Sequence, residues 1–168
     1  DQRGNLRPVG GTCDIGAYED GIGFFINDVS LSEGDTGPTQ MNFTVSRSFI
    51  TDTTYTVDYE TADDTALAGL DYTAISNTLT FNSGTMTQTV SVPILGDTLD
   101  EEDETFSVTL SNASGASQLG DATGIGTILD DDAPPSLTFG GVTIAEGNSG
   151  TVTAVFTVTL SHASEKVI

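Results

Sequence analysis

Tryptophan is absent from this 168-residue chain, and cysteine and histidine occur once each. The single Cys13 excludes an intrachain disulfide. It also excludes a cysteine-based zinc cluster, which needs several Cys or His ligands. His162 stands alone in a Ser/Ala-rich stretch and reads as a surface residue. With Cys13 and His162 so far apart in the chain, no Ser–His or Cys–His nucleophile system stands out. There is no glycine-rich phosphate loop. No apolar run approaches the ~18 residues that suggest a membrane span. Cations are scarce as well: Lys and Arg total 4 against 25 Asp and Glu, a net charge of −21. Phosphates would meet a like-charged surface, which argues against nucleic acid as a partner. These absences together point away from an enzyme.

What is present is a core-forming chain. Apolar residues make up 36%, with 19 glycines besides, while charged residues are only 17%, below the usual ~25%. That balance separates it from a disordered polyacid. The dominant hydrophobic period is two, and 27 threonines accompany Val, Ile, Phe and Tyr, residues that suit a pleated, half-buried surface. Phe25, Val29 and Leu31 share one parity. Met41, Phe43 and Val45 follow, then Tyr55, Val57 and Tyr59, then Leu79 and Phe81. Val90, Val92 and Ile94 come next, then Phe106, Val108 and Leu110, and last Ile125, Thr127 and Leu129. Seven short strands between about 24 and 130 predict an all-β, antiparallel sandwich of immunoglobulin-like size. Pro93 predicts an edge position or a strand end for the fifth strand.

The chain also repeats. Phe25-Ile26-Asn27-Asp28-Val29-Ser30-Leu31-Ser32-Glu33-Gly34 returns as Thr138-Phe139-Gly140-Gly141-Val142-Thr143-Ile144-Ala145-Glu146-Gly147, and Glu33 to Glu146 and Phe43 to Phe156 share an offset of 113. A period this long indicates tandem domains. The expected organisation is an N-terminal tail over 1–21, a sandwich over 22–132, and the first two strands of an incomplete second repeat over 133–168. An Asp1 start without a signal peptide is what a fragment or processed product would show.

Strand parity places the acids. If the seven strands alternate in direction, the first, third, fifth and seventh end at one pole. The connections there carry Glu33 and Asp35; Asp63, Asp64 and Asp71; Asp97, Asp100, Glu101, Glu102, Asp103 and Glu104; and Asp130, Asp131 and Asp132. The other pole collects Asp52 and Asp121. At ~4 Å and an effective dielectric of ~20, each close pair of like charges costs roughly 4 kcal/mol before salt and relaxation. No Lys or Arg lies in these loops to offset it. Hard oxygen donors without His or Cys suit Ca²⁺ better than zinc or copper, and flexible loops with many oxygens suit Ca²⁺ better than Mg²⁺. The bland reading, a solvated acidic surface that aids solubility, fits any one run better than it fits four runs at one pole. Asp97, Asp100 and Asp103 do not have EF-hand spacing.

Several motifs in order resemble the Calx-beta domain, first described in sodium–calcium exchangers and common in bacterial surface proteins. They are Ser32-Glu33-Gly34, Tyr59-Glu60-Thr61-Ala62-Asp63, Ala68-Gly69-Leu70-Asp71-Tyr72, Asp97 with Glu101-Glu102-Asp103-Glu104-Thr105-Phe106, and Ile128-Leu129-Asp130-Asp131-Asp132. The resemblance covers about 24–132 and, truncated, 135–168. It implies a seven-stranded sandwich with Ca²⁺ at the pole described above, held by Glu33, Asp71, Asp97, Glu101, Glu104, Asp130, Asp131 and Asp132. Gly96 and Thr98 depart from the more acidic exchanger pattern, so one to three ions are expected instead of four. Separately, Gly10-Gly11-Thr12-Cys13-Asp14-Ile15-Gly16-Ala17-Tyr18-Glu19 resembles the closing segment of bacterial right-handed parallel β-helix surface proteins.

The second repeat offers Leu137, Phe139, Val142 and Ile144, then Val152, Phe156, Val158 and Leu160. A two-stranded hairpin is marginal alone, and its open edges invite pairing. Either the tails fold back on their own domain or a neighbouring copy completes the hairpin head to tail, through residues 135–160 and residues 1–20, as β-augmentation does in extracellular fibres. The expected function is a non-enzymatic, Ca²⁺-binding structural or adhesive module of a secreted or cell-surface bacterial protein. A monomeric, calcium-dependent adhesin domain that binds glycan or matrix is the rival. Loops without Trp, and with Tyr72 as the one aromatic near the acidic pole, offer that rival little.

Overall fold

The structure is a computed structural model and describes residues 21–115 and 117–167. Cys13 and the β-helix-like segment lie outside the described residues. Among these residues there is no helix, and nine strands lie between Gly23 and Leu129. They are β1 (Gly23–Ile26), β2 (Val29–Ser32), β3 (Gly37–Arg47), β4 (Tyr55–Asp63), β5 (Ser76–Phe81), β6 (Thr87–Gly96), β7 (Glu104–Ser111), β8 (Gln118–Asp121) and β9 (Thr123–Leu129). One sheet has the order β6-β3-β1-β8 and the other β2-β9-β7-β4-β5. Their inner faces meet in a core that includes Phe24, Phe43, Phe81, Phe106 and Tyr72. The Phe24 and Phe81 ring centroids are 5.1 Å apart, and Tyr72 stacks on Phe106 at 4.4 Å.

Nine strands appear where seven were expected because the first expected strand divides in two and a further short strand, β8, precedes the last. The first changes sheets at Asn27–Asp28. Thr44 N–H donates to Asn27 Oδ1 at 2.5 Å, and Ile125 N–H donates to Asp28 Oδ1 at 2.8 Å. Each side chain thus supplies a bond that the interrupted ladder would lose, one for each sheet. The jog also reverses parity. Phe24 and Ile26 are buried, Phe25 is exposed, and Val29 and Leu31 are half-buried beyond the jog. The expected grouping of Phe25 with Val29 and Leu31 is therefore corrected.

A second parity correction falls in β9. Gly124, Gly126 and Ile128 face the core, whereas Ile125 points outward. A Cβ on Gly126 would lie 2.5 Å from Phe106 Cζ, so the glycine makes room for the ring. Hydrophobicity alone favours the wrong face there.

The antiparallel expectation is also corrected to a mixed sandwich. β1 pairs parallel with β8, and β2 pairs parallel with β9. The polar argument survives, because the first and last strands of an odd series run the same way. Register places the strand ends together: Ser32 opposite Leu129, Gly37 opposite Gly96, Asp63 opposite Phe106, and Glu104 opposite Ile128. Pro93 lies in β6, the edge strand of its sheet, as expected. That edge is partly covered, since Thr73 N–H donates to Pro93 O and Leu95 N–H to Asp71 O.

Beyond the sandwich, β10 (Leu137–Phe139) and β11 (Val158–Leu160) form a short antiparallel hairpin. Leu137 pairs with Leu160 and Phe139 with Val158, the register of Phe24 with Arg47 and Ile26 with Val45 displaced by 113. The paired segments are shorter than the apolar pattern suggests, and Val142, Ile144, Val152 and Phe156 lie outside strands and are exposed.

Candidate metal centre

Four chain segments deliver carboxylates to one pole. Glu33 follows β2, where its N–H still donates to Leu129 O at 3.2 Å, and it is 3% exposed. Gly34, at φ +78, turns the chain away directly afterwards. A Cβ on Gly96 would lie 1.8 Å from Gly34 O and 2.6 Å from Glu33 O, so the end of β6 can approach this turn only as glycine. Asp130 and Asp132 follow β9, and Asp132 N–H donates to Asp130 Oδ1 at 3.2 Å. One oxygen from each of Glu33, Asp130 and Asp132 lies within 4.8 Å of the others.

The remaining expected ligands stand around this group. Burial pushes the Glu33 carboxyl up to about 7, helped by Glu101, Asp97, Asp130 and Asp132. Burial likewise raises Glu101 to about 7, with Glu165, Asp71, Asp97 and Asp130 adding repulsion. Glu104 is raised to about 7 by burial and by a hydrogen bond with Asp71. Asp132 is raised by burial and by Asp35, Asp130, Asp131 and Asp97. Asp132 Oδ2 is buried and has no hydrogen-bond partner among the described residues. Buried polar atoms normally have one. Asp97 Oδ1 accepts from Leu99 N–H at 2.7 Å, and Asp71 Oδ2 from Leu67 N–H at 2.6 Å, so each keeps one oxygen outside these backbone bonds. Asp131 is exposed and holds Gly34 N–H at 3.1 Å, bracing the Glu33 turn.

Other acids of the pole have structural work. Asp63 accepts from Tyr72 Oη at 2.6 Å and from Ala68 N–H at 2.9 Å, and these bonds hold its carboxyl below the usual range. The Tyr72 phenol is pushed up to about 12 by burial and by Asp63. Asp103 accepts from Asp130 N–H at 3.2 Å. Asp100 is 2% exposed and faces a cation that the loops themselves lack: Lys166 Nζ lies 2.8 Å from Asp100 Oδ1 and 2.7 Å from Asp130 Oδ2. Sequence reasoning left Lys166, Ser164 and Glu165 out of the site. They follow Asp130 by more than thirty residues, and their approach depends on how the chain returns. Their one sequence signal is Lys166 itself, a rare cation in an acidic chain.

A mixed β-sandwich with a carboxylate group buried between inter-strand loops at one pole defines a module built around a hard cation. Residues 18–133 match the family model of the Calx-beta domain, and the chain belongs to that family. Its relatives include sodium/calcium exchanger 1 of Cavia porcellus, 35% identical over 116 residues that make up 66% of this chain and 12% of the exchanger. Sodium/calcium exchanger 2 of Homo sapiens is 40% identical over 72 residues, 43% of this chain and 7% of that protein. The chain therefore spans a small part of the curated relatives it matches. Among solved structures, the apo-form Calx CBD1 domain superposes with a TM-score of 0.62 at 29% identity, covering 67% of this chain and all of that domain. The calcium binding domain CBD12 of CALX1.1 gives a TM-score of 0.60 at 29% identity, covering 65% of this chain and 44% of that one.

Proposed function

We propose that residues 22–132 form a non-enzymatic Ca²⁺-binding module. The observation that carries the reading is the Glu33, Asp130 and Asp132 group, with ligand oxygens within 4.8 Å and Asp132 Oδ2 buried without a partner among the described residues. An all-carboxylate donor set from flexible loops fits Ca²⁺. Glu33, Asp130 and Asp132 would hold the ion, with Asp97 and Glu101 beside them and Asp71 and Glu104 adjoining. The ion would supply positive charge, and the chain supplies the rest: β2 and β9 bring Glu33 to Asp130, the Gly34 turn positions Glu33, and Asp131 braces that turn. An ion that binds only the folded state adds about 2.7 kcal/mol at a hundredfold excess over its Kd. The melting temperature in Ca²⁺ should therefore exceed that in EDTA, and equal melting temperatures would remove the metal reading.

The setting we propose is a secreted or cell-surface bacterial protein with a structural or adhesive role. The support is the resemblance of residues 10–19 to the closing segment of bacterial β-helix surface proteins, together with the tandem offset of 113. In this reading the exposed apolar hairpin of β10 and β11 pairs with a neighbouring copy. Its support is the shared register and the exposure of Leu137, Phe139, Phe156 and Val158. Electron microscopy of the purified chain should show head-to-tail oligomers or filaments; uniform monomers at high concentration would rule out pairing with a second copy.

A further inference from the structure

The C-terminal segment docks on the acidic pole through Asp100 and Asp130. Asp100 takes most of its contacts: Ser164 Oγ donates to Asp100 Oδ2 at 2.7 Å, Glu165 N–H donates to Asp100 O at 3.0 Å, and Lys166 Nζ reaches Asp100 Oδ1 at 2.8 Å. Lys166 N–H donates to Ser164 Oγ at 3.1 Å, which ties the segment to itself. The same ammonium reaches Asp130 Oδ2 at 2.7 Å, while Asp130 Oδ1 accepts from Asp132 N–H. Asp130 therefore belongs to two arrangements, the Lys166 clamp and the three-carboxylate group with Glu33 and Asp132. The two acids are well buried, with side-chain exposures of 3% and 7%, while the Lys166 side chain is 29% exposed.

Lys166 sits at the position that corresponds, 113 residues earlier, to Thr53, in the connection between β3 and β4. That connection lies at the pole opposite the acids. A second repeat following the first would turn this same connection toward the first repeat's carboxylates.

We propose that Lys166 is a tethered counter-cation that competes with the divalent ion for Asp130, so that metal binding and docking of residues 161–167 oppose each other. The proposal rests on the Ca²⁺ reading of the pole. Both cations need Asp130 oxygens, and a fixed ammonium beside a divalent ion repels it. Coupling of this kind is reciprocal: whatever Lys166 takes from metal affinity, the metal takes from docking. An open cleft of about 320 Å³ beside the clamp is lined by Thr98, Asp132, Ala133 and His162.

The test is calorimetric Ca²⁺ titration of the full chain and of K166Q, with K166R as the conservative variant. K166Q should bind on the order of fivefold or more tightly, and K166R should follow the parent chain. Amide exchange at Glu165 and Lys166, whose N–H groups bond within the clamp, should speed up when Ca²⁺ is added. S164A tests the docking contact separately and should also tighten Ca²⁺. Equal or weaker binding by K166Q, or stronger protection of these amides with Ca²⁺, would overturn the proposal while leaving the metal reading intact. Absence of Ca²⁺ binding in the parent and in every variant would overturn both.

Discussion

Glu33, Glu101 and Glu104 all have carboxyls raised to about 7, with burial as the first cause and neighbouring carboxylates next. A carboxyl with a raised folded-state pKa keeps its proton in the folded molecule after the unfolded chain has lost it. Folding stability then falls as pH rises from the ordinary value of 4.5 toward about 7, and the penalty is complete above that. Asp58, held low by Thr78 and Asn112, and Asp63, held low by Tyr72 and Ala68, act in the other direction. Their contribution is lost only as pH falls below the ordinary aspartate value of 3.8. In EDTA the melting temperature should thus decline between pH 4.5 and pH 7, and saturating Ca²⁺ should flatten or reverse that slope. A melting temperature that rises through this window in EDTA would contradict the crowding of these three glutamates.

The elements position these residues through close backbone approach. β6 ends at Gly96, opposite Gly37, with the Glu33–Gly34 turn pressed against it. Gly96→Ala would place a methyl on two carbonyl oxygens of that turn, so the turn must move. The expected cost is roughly 1–3 kcal/mol, read as a lower urea midpoint, together with a weaker Ca²⁺ midpoint because Glu33 moves with the turn. A variant with parent stability and parent Ca²⁺ affinity would show that the approach does not matter. The position was visible in the sequence only as a departure from an acidic pattern. Its physical reason, contact between backbones distant in the chain, became visible with the pairing of β3 and β6. The same holds for β9, where Gly126 faces Phe106 and the apolar Ile125 faces out. Period-two patterns located Met41, Phe43 and Val45, Val90, Val92 and Ile94, and Phe106, Val108 and Leu110 correctly as core residues. They misassigned the first and last strands, because a jog and a pair of glycines change which face is buried without changing hydrophobicity.

On the scale of the whole molecule the governing quantity is the net charge of −21. Between about 0.01 M and about 0.15 M salt the Debye length falls from about 30 Å to about 8 Å, so repulsion across the acidic pole is screened. In EDTA, added NaCl should raise the melting temperature. In saturating Ca²⁺ the same salt should raise it less, since the bound ion already offsets the charge. Equal salt dependence in both conditions would mean that the acids are dispersed in their effect and that no ion gathers them. The −21 is also the reason a single lysine carries weight: Lys166 is one of 4 basic residues, and it lies on two buried aspartates of the pole.

Composition and strand parity alone determined that this chain makes a β-sandwich and that four acidic runs meet at one of its ends. Both follow from the period of the pleat and the alternation of strand direction, which are local or combinatorial properties. The tertiary structure decided which carboxylates share a small volume, that Asp131 braces a turn while Asp130 and Asp132 approach Glu33, and that Lys166 returns to Asp130. Those outcomes depend on loop paths and on contacts between residues 30 to 100 positions apart, where a few ångströms separate a ligand from a bystander.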